Sequence, residues 1–356
     1  MTIGVVALSG VLALTACGSK SSGGGSSSGG GSSSASGKAL SACMVLDTGG
    51  VDDKSFNQSS YAGMTAAAKD NPNLKISYVP SNSSNDYTPN LNAEVQKKCD
   101  AIIAVGGLMA DNVKAAATAN PTVHFAEVDA PSQAPNQYGM QFNTAQGGFL
   151  GGYLAAGMSK TGKVATFGGA DIPPVTIYMD GYWEGVQYYN KVKNANVQVL
   201  GWDEKTQKGT FAGSFTDQTK GSQLAKNFMQ AGADVIYPVA GGTGLGSAAA
   251  VKAANNGTVV IWVDTDGCIS APQYCSVFLT TTFKGIETAV KTAVEAGSAG
   301  TYGTTDYVGT LANGGTGLSP YHDFATKVPQ ALQDAVTQVG KDIQSGTIKI
   351  TSKSQP

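Results

Sequence analysis

Residues 235–264 read VIYPVAGGTGLGSAAAVKAANNGTVVIWVD. The apolar run Val235–Val239 gives way to glycines and then to a helical pattern over Leu245–Asn255. Asn-Asn-Gly closes that pattern, and a second apolar run, Val259–Val263, follows. Strand, glycine turn, helix and strand make a βαβ unit, which calls for a parallel sheet with helices on its faces.

Working outward, the same alternation repeats. Strands are expected at Cys43–Leu46, Lys75–Val79, Ala101–Val105, Val123–Val128, Tyr138–Phe142, Lys163–Phe167, Val197–Gly201 and Val277–Thr281. Helical patterns separate them, among them Ser55–Lys69, Met109–Ala119, Thr144–Ser159, Val175–Val192 and Asp217–Ala231. Rossmann-like units occur twice, from about 40 to 145 and from about 160 to 265, and about 315 residues exceed what one core supports. We therefore expect an α/β protein of two doubly wound lobes joined by a multi-strand hinge, a clamshell of the type I periplasmic-binding-protein class. Lobe 1 is expected at 39–145 plus 272–308, and lobe 2 at 146–271 plus 309–356. Ligands of doubly wound sheets sit outside the carboxyl ends of the strands, at the cleft between such lobes.

The N-terminus carries an address. Residues 3–16 form an apolar run too short to span a bilayer, and Leu14-Thr15-Ala16-Cys17 resembles a bacterial lipobox. The expectation is a signal peptide at 1–16 and lipidation at Cys17, with export to the outer face of the cell membrane or periplasm. No basic residue precedes the run. Residues 18–37, GSKSSGGGSSSGGGSSSASG, are a Gly/Ser tether with an r.m.s. reach of roughly 25 Å. Four further cysteines suit an oxidising compartment. Cys43 lies in the first strand and Cys99 just before the strand Ala101–Val105, so strand order 2-1-3 favours Cys43–Cys99, leaving Cys268–Cys275 to close a short loop.

Composition narrows the chemistry. The net charge is −2, which gives no electrostatic case for nucleic acid. All 23 basic residues are lysine, so the bidentate clamp favoured for phosphate or carboxylate is absent. That leans the ligand toward a neutral molecule. With two histidines and no Cys-x-x-Cys pair, no metal or cofactor is expected.

The segment Leu46-Asp47-Thr48-Gly49-Gly50-Val51-Asp52-Asp53-Lys54-Ser55-Phe56-Asn57-Gln58 resembles the opening motif of the basic membrane protein family, bacterial lipoproteins that bind purine nucleosides for ABC importers. Val239-Ala240-Gly241-Gly242-Thr243-Gly244, Glu127-Val128-Asp129-Ala130, Trp262-Val263-Asp264-Thr265-Asp266 and Thr281-Thr282-Phe283-Lys284 match in order. The likeness covers about 40 to 345. It implies a purine held between Phe56 and Tyr237, its edge met by Asn57 and Asp129. Asp264 would take ribose hydroxyls, with Lys284, Asp47 and the amide of Gly241 or Gly242 nearby. Tyr237 stands where the family usually has Phe, and Ile172-Pro173-Pro174 departs from its pattern. The implied partners are an ABC permease and ATPase, and the implied state is a monomer.

Other readings compete. Asp47-Thr48-Gly49 matches the aspartic-protease triplet, but it opens a βα unit rather than an all-β frame. Gly242-Thr243-Gly244-Leu245-Gly246 brushes a dinucleotide fingerprint, yet Ser247 stands where its last glycine belongs. Asp47, Asp52 and Asp53 could hold a metal, but a cap on the following helix suits Asp52 or Asp53 better. No enzyme is expected. A clamshell receptor for a sugar, amino acid or signal molecule, or a sensory lipoprotein partnering a membrane kinase, is the alternative.

Overall fold

The computed structural model describes residues 39–303 and 305–356. The expected signal peptide, Cys17 and tether lie outside the described residues. Among the described residues, fourteen strands and ten α-helices follow one another in the alternation that the sequence displays.

The first sheet is built from β1 (Leu40–Leu46), β2 (Leu74–Val79), β3 (Ala101–Val105), β4 (His124–Val128) and β5 (Gln137–Phe142). The second draws on β6 (Lys163–Gly168) and β7 (Gln198–Leu200), with β8 (Trp202–Asp203) and β9 (Lys208–Gly209) forming a separate small ladder. It continues with β10 (Val235–Val239), β11 (Val259–Asp264) and β12 (Phe278–Lys284). Finally β13 (Tyr307–Gly309) returns to the first sheet and β14 (Thr316–Leu318) to the second. The orders are β13-β5-β4-β3-β1-β2 and β14-β12-β11-β10-β6-β7. All pairings are parallel except β14 on β12 and the β8–β9 ladder.

Helices cover both faces of each sheet. They are α1 (Phe56–Asp70), α2 (Tyr87–Gln96), α3 (Ala110–Ala119), α4 (Thr144–Met158) and α5 (Pro173–Lys193), then α6 (Gln218–Gln230), α7 (Thr243–Ala254), α8 (Gly267–Ser270), α9 (Ile286–Ser298) and α10 (Gln330–Gln344). Buried parallel strands feed two cores through their period of two. In the first lobe Met44, Ile103 and Val128 pack under α1 and α9, whereas Val45, Ile102 and Phe125 pack under α2 and α3. In the second lobe Tyr237, Val239, Ile261 and Val263 face α4 and α5, and Ile236, Val260 and Trp262 face the α7 side.

One boundary differs from expectation. Residues 272–308 do not belong whole to the first lobe: β12 pairs along β11 in the second sheet, and only α9 and β13 return. Thr280, Thr281 and Thr282 are buried there, satisfying the backbone edge that β11 would otherwise leave open. The chain thus crosses three times, between β5 and α4, β12 and α9, and β13 and β14. The crossings are laced together: Asn143 N–H donates to Gly309 O (2.7 Å), and Gly285 N–H donates to Gly315 O (2.9 Å). A Cβ on Gly315 would collide with the backbone of Gly309, so this hinge requires glycine for close approach.

Both expected disulfides are present. Cys43–Cys99 ties the middle of β1 to the segment just before the adjacent β3 with Cα atoms 6.0 Å apart, and Cys268–Cys275 closes its loop at 4.6 Å. No described helix is long and apolar enough to cross a membrane.

Candidate ligand-binding site

The carboxyl ends of the two sheets face each other across a cavity of about 60 Å³. Lobe 1 contributes Asp47 and Thr48 after β1, Gly106–Leu108 after β3 and Asp129 after β4, together with Asp53 and Phe56 at the start of α1. Lobe 2 contributes Val239–Gly241 after β10, Val263 and Asp264 at the end of β11, and Lys284 at the end of β12. Ile172, Pro174, Val175 and Tyr178 of the α5 segment and Phe215 of an irregular loop complete the wall.

The α1 terminus is arranged by Asp53. Its carboxyl group accepts from the backbone N–H groups of Ser55 (3.0 Å), Asn57 (2.9 Å) and Gln58 (3.1 Å), satisfying orphan donors of the first turn. Burial pushes the Asp53 acid up to about 6 against those three donors. Asp52 is exposed and pairs with Lys54. Asp47 lies in a niche opened by Gly106, whose φ of 113° is open to glycine and whose missing Cβ leaves room for the carboxyl group. Burial raises the Asp47 pKa well above the ordinary range; an Asn57 side-chain hydrogen bond opposes this, and Asp53, Asp129 and Asp264 add to it.

Lys284 is the cation of this wall. Its Nζ lies 2.8 and 3.0 Å from the two oxygens of Asp129 and 3.9 Å from Asp264. It also stands 5.0 Å from the Phe56 ring centroid and 5.3 Å from that of Tyr178. Burial raises the Asp129 pKa, and Lys284 holds part of that rise back. Asp264 accepts from Ser55 Oγ (2.7 Å) and from the Tyr178 hydroxyl (3.0 Å). Four carboxyl groups around one ammonium favour a ligand rich in hydrogen-bond donors and disfavour an anion.

Of the residues singled out in the sequence, Asp47, Phe56, Asp129, Gly241, Asp264 and Lys284 line this cavity. Three do not. Asn57 is buried behind Asp47 with its Oδ1 unpaired. Gly242 starts α7 beside the Phe215 backbone, outside the wall. Tyr237 is a core residue: it sits in mid-strand, fully buried, its ring 5.0 Å from Tyr182 and 6.3 Å from Tyr178. The lobe 2 rings at the cavity are instead Tyr178 and Phe215. Sequence reading missed both. Tyr178 reaches the wall because α5 packs against α4 through glycines: a Cβ on Gly148 would lie 2.5 Å from Tyr178 O, and one on Gly181 or Gly185 would strike α4. Phe215 follows the glycines of a loop without periodicity, and no local pattern announces it.

Among the described residues, the only groupings of potential metal ligands are Cys43, Glu94 and Cys99, and Asp266, Cys268 and His322. Each contains disulfide-bonded cysteine, and neither includes a cavity residue.

Comparison with known proteins agrees with this architecture. The model of the Bmp family, described as ABC transporter substrate-binding protein PnrA-like, matches residues 40–354. The chain is 31% identical over 334 residues to the ABC transporter nucleoside-binding protein BmpA of Lactococcus lactis, covering 88% of this chain and 90% of that one. It is 33% identical over 236 residues to basic membrane protein A of Borreliella burgdorferi, covering 65% of each. Among solved structures, an ABC transporter solute-binding protein of Aeropyrum pernix superposes with a TM-score of 0.79 at 25% identity, covering 88% of this chain and 93% of that one. With its family model spanning nearly every described residue and its strand ends enclosing one cavity, the chain belongs to the Bmp family of ABC transporter substrate-binding proteins, which bind their solutes and are not enzymes.

Proposed function

We propose that this protein captures a purine nucleoside between its lobes and delivers it to an ABC permease and ATPase. One observation carries the reading: aromatic rings from both lobes, Phe56 and Phe215, share a cavity with Asp47, Asp53, Asp129 and Asp264 and the ammonium of Lys284. A nucleobase stacks on aromatic faces for roughly 1–3 kcal/mol per base. Its donors and the ribose hydroxyls give hydrogen bonds that carboxyl oxygens accept, while Lys284 donates to a ligand oxygen. A phosphate would meet acids with one lysine to offset them, which disfavours nucleotides. The nucleoside-binding name of the Lactococcus lactis relative supports the same ligand class.

Isothermal titration with adenosine, guanosine, inosine, uridine, ribose and AMP tests this. Purine nucleosides are expected to bind at least tenfold more tightly than ribose or AMP. Equal binding of ribose, or no binding of any nucleoside, refutes it.

The N-terminal reading belongs here too: cleavage before Cys17 and lipidation of its thiol and new amine would hold the lobes at the outer face of the membrane on the Gly/Ser tether. Incorporation of a labelled fatty acid, abolished in Cys17→Ser, tests the anchor.

A further inference from the structure

Beyond the cavity wall, the two lobes touch at a second place. Lys54 and Ser55 lead into α1 of lobe 1, and Trp262, Val263 and Asp264 end β11 of lobe 2. Ser55 is completely buried, and its hydroxyl donates to Asp264 Oδ2 at 2.7 Å, with Val263 O at 3.3 Å. The Trp262 indole N–H donates to Lys54 O at 3.3 Å. Lys54 and Asp264 both adopt left-handed backbone, with φ of 61° and 66°, at the points where the two chains meet. Lys54, Ser55 and Trp262 do not line the cavity, whereas Val263 and Asp264 do.

The Asp264 carboxyl group is thus held by one donor from each lobe. The Tyr178 hydroxyl, on its own lobe, takes Oδ1 at 3.0 Å, and Ser55, across the cleft, takes Oδ2. We propose that Ser55 is a positioning residue: its hydrogen bond across the cleft orients Asp264 toward the ligand only when the lobes meet, and the clasp of Lys54-Ser55 with Trp262-Val263-Asp264 populates the closed arrangement before any ligand arrives. Opening the lobes strips Asp264 of its Ser55 donor and breaks the bond from the Trp262 indole N–H to Lys54 O. Closure therefore has a favourable contribution that does not depend on which molecule occupies the cavity. A ligand entering such a protein meets a preorganised carboxyl group, and its apparent affinity scales with the fraction of molecules already closed.

The affinity arm of the test rests on the nucleoside reading; the closure arm does not. Small-angle X-ray scattering of the ligand-free protein, as wild type, Ser55→Ala, Trp262→Phe and the double variant, measures the open-to-closed ratio. Removing one hydrogen bond to a carboxyl group is expected to shift that ratio at least about tenfold toward open in Ser55→Ala, with a larger radius of gyration. Trp262→Phe gives a smaller shift, and the double variant the largest. Guanosine titration should show a matching fall in affinity, and saturating guanosine should restore the compact envelope of Ser55→Ala, which mere misfolding would not permit. Ligand-free envelopes that are identical in wild type and both single variants overturn the proposal, as does an expanded Ser55→Ala that guanosine binds with full affinity yet fails to compact. If the envelopes shift as expected but no nucleoside binds, the clasp stands and the ligand assignment falls.

Discussion

Replacing Lys284 by methionine is the perturbation whose consequence follows most directly from the site. The side chain is buried, with an ammonium within 3.0 Å of both oxygens of Asp129 and 3.9 Å from Asp264. Lys284→Met keeps most of the volume and removes the charge. Taking one partner from a buried pair costs about 3–5 kcal/mol, because the other is left uncompensated. Asp129 then escapes by taking a proton. Its pKa is already raised by burial, and Lys284 is the influence that lowers it, so the folded-state pKa climbs further in the variant. An acid whose folded pKa lies above its unfolded value gives a native state that binds the extra proton, so stability falls as pH rises. The deficit relative to wild type should therefore approach the full 3–5 kcal/mol near pH 8 and shrink toward pH 5. Urea denaturation across that range measures it, and Lys284→Met/Asp129→Asn should recover most of the loss at high pH. A deficit under about 1 kcal/mol, or one independent of pH, would refute the argument that the pair is buried and mutually dependent.

Glu127 offers a second pH test: buried beside Gln137 and facing Asp129 and Asp111, its acid is pushed up to about 8, chiefly by burial. Wild type should gain stability as pH falls from about 8 toward 5, and Glu127→Gln should flatten that slope and be the more stable protein at pH 8.5, by thermal unfolding. For the ligand, Phe56→Ala and Phe215→Ala should each weaken purine nucleoside binding by at least tenfold in calorimetry, whereas Tyr237→Phe should change it less than threefold; the reverse ranking would restore Tyr237 to the site. Removing Cys43–Cys99, which spans 56 residues, should cost about 4 kcal/mol, and removing Cys268–Cys275, which spans 7, about 2.5 kcal/mol, by loop-closure entropy; equal losses in denaturant titration would argue against that account.

Much of this molecule is legible in the chain alone. Alternating apolar runs and helical patterns compel parallel sheets, and a parallel sheet compels its ligand toward the strands' carboxyl ends. Asp47, Asp129, Asp264 and Lys284, the positions that the family resemblance implies, each sit within a residue of such an end. The cysteine pairing followed from strand adjacency. What the chain could not disclose depends on depth and on long-range packing. Tyr237 lies two residues inside β10, where side chains point to the faces of the sheet rather than off its end, so its ring joins the core under α5. Tyr178 and Phe215 reach the cavity only because glycine contacts draw α5 onto α4 and because an irregular loop folds against Gly169 and Gly241. The sheet that claims β12, and the meeting of Ser55 with Asp264 across 209 positions of sequence, were settled by tertiary structure: a hydrogen bond between distant residues leaves no periodic trace in either segment.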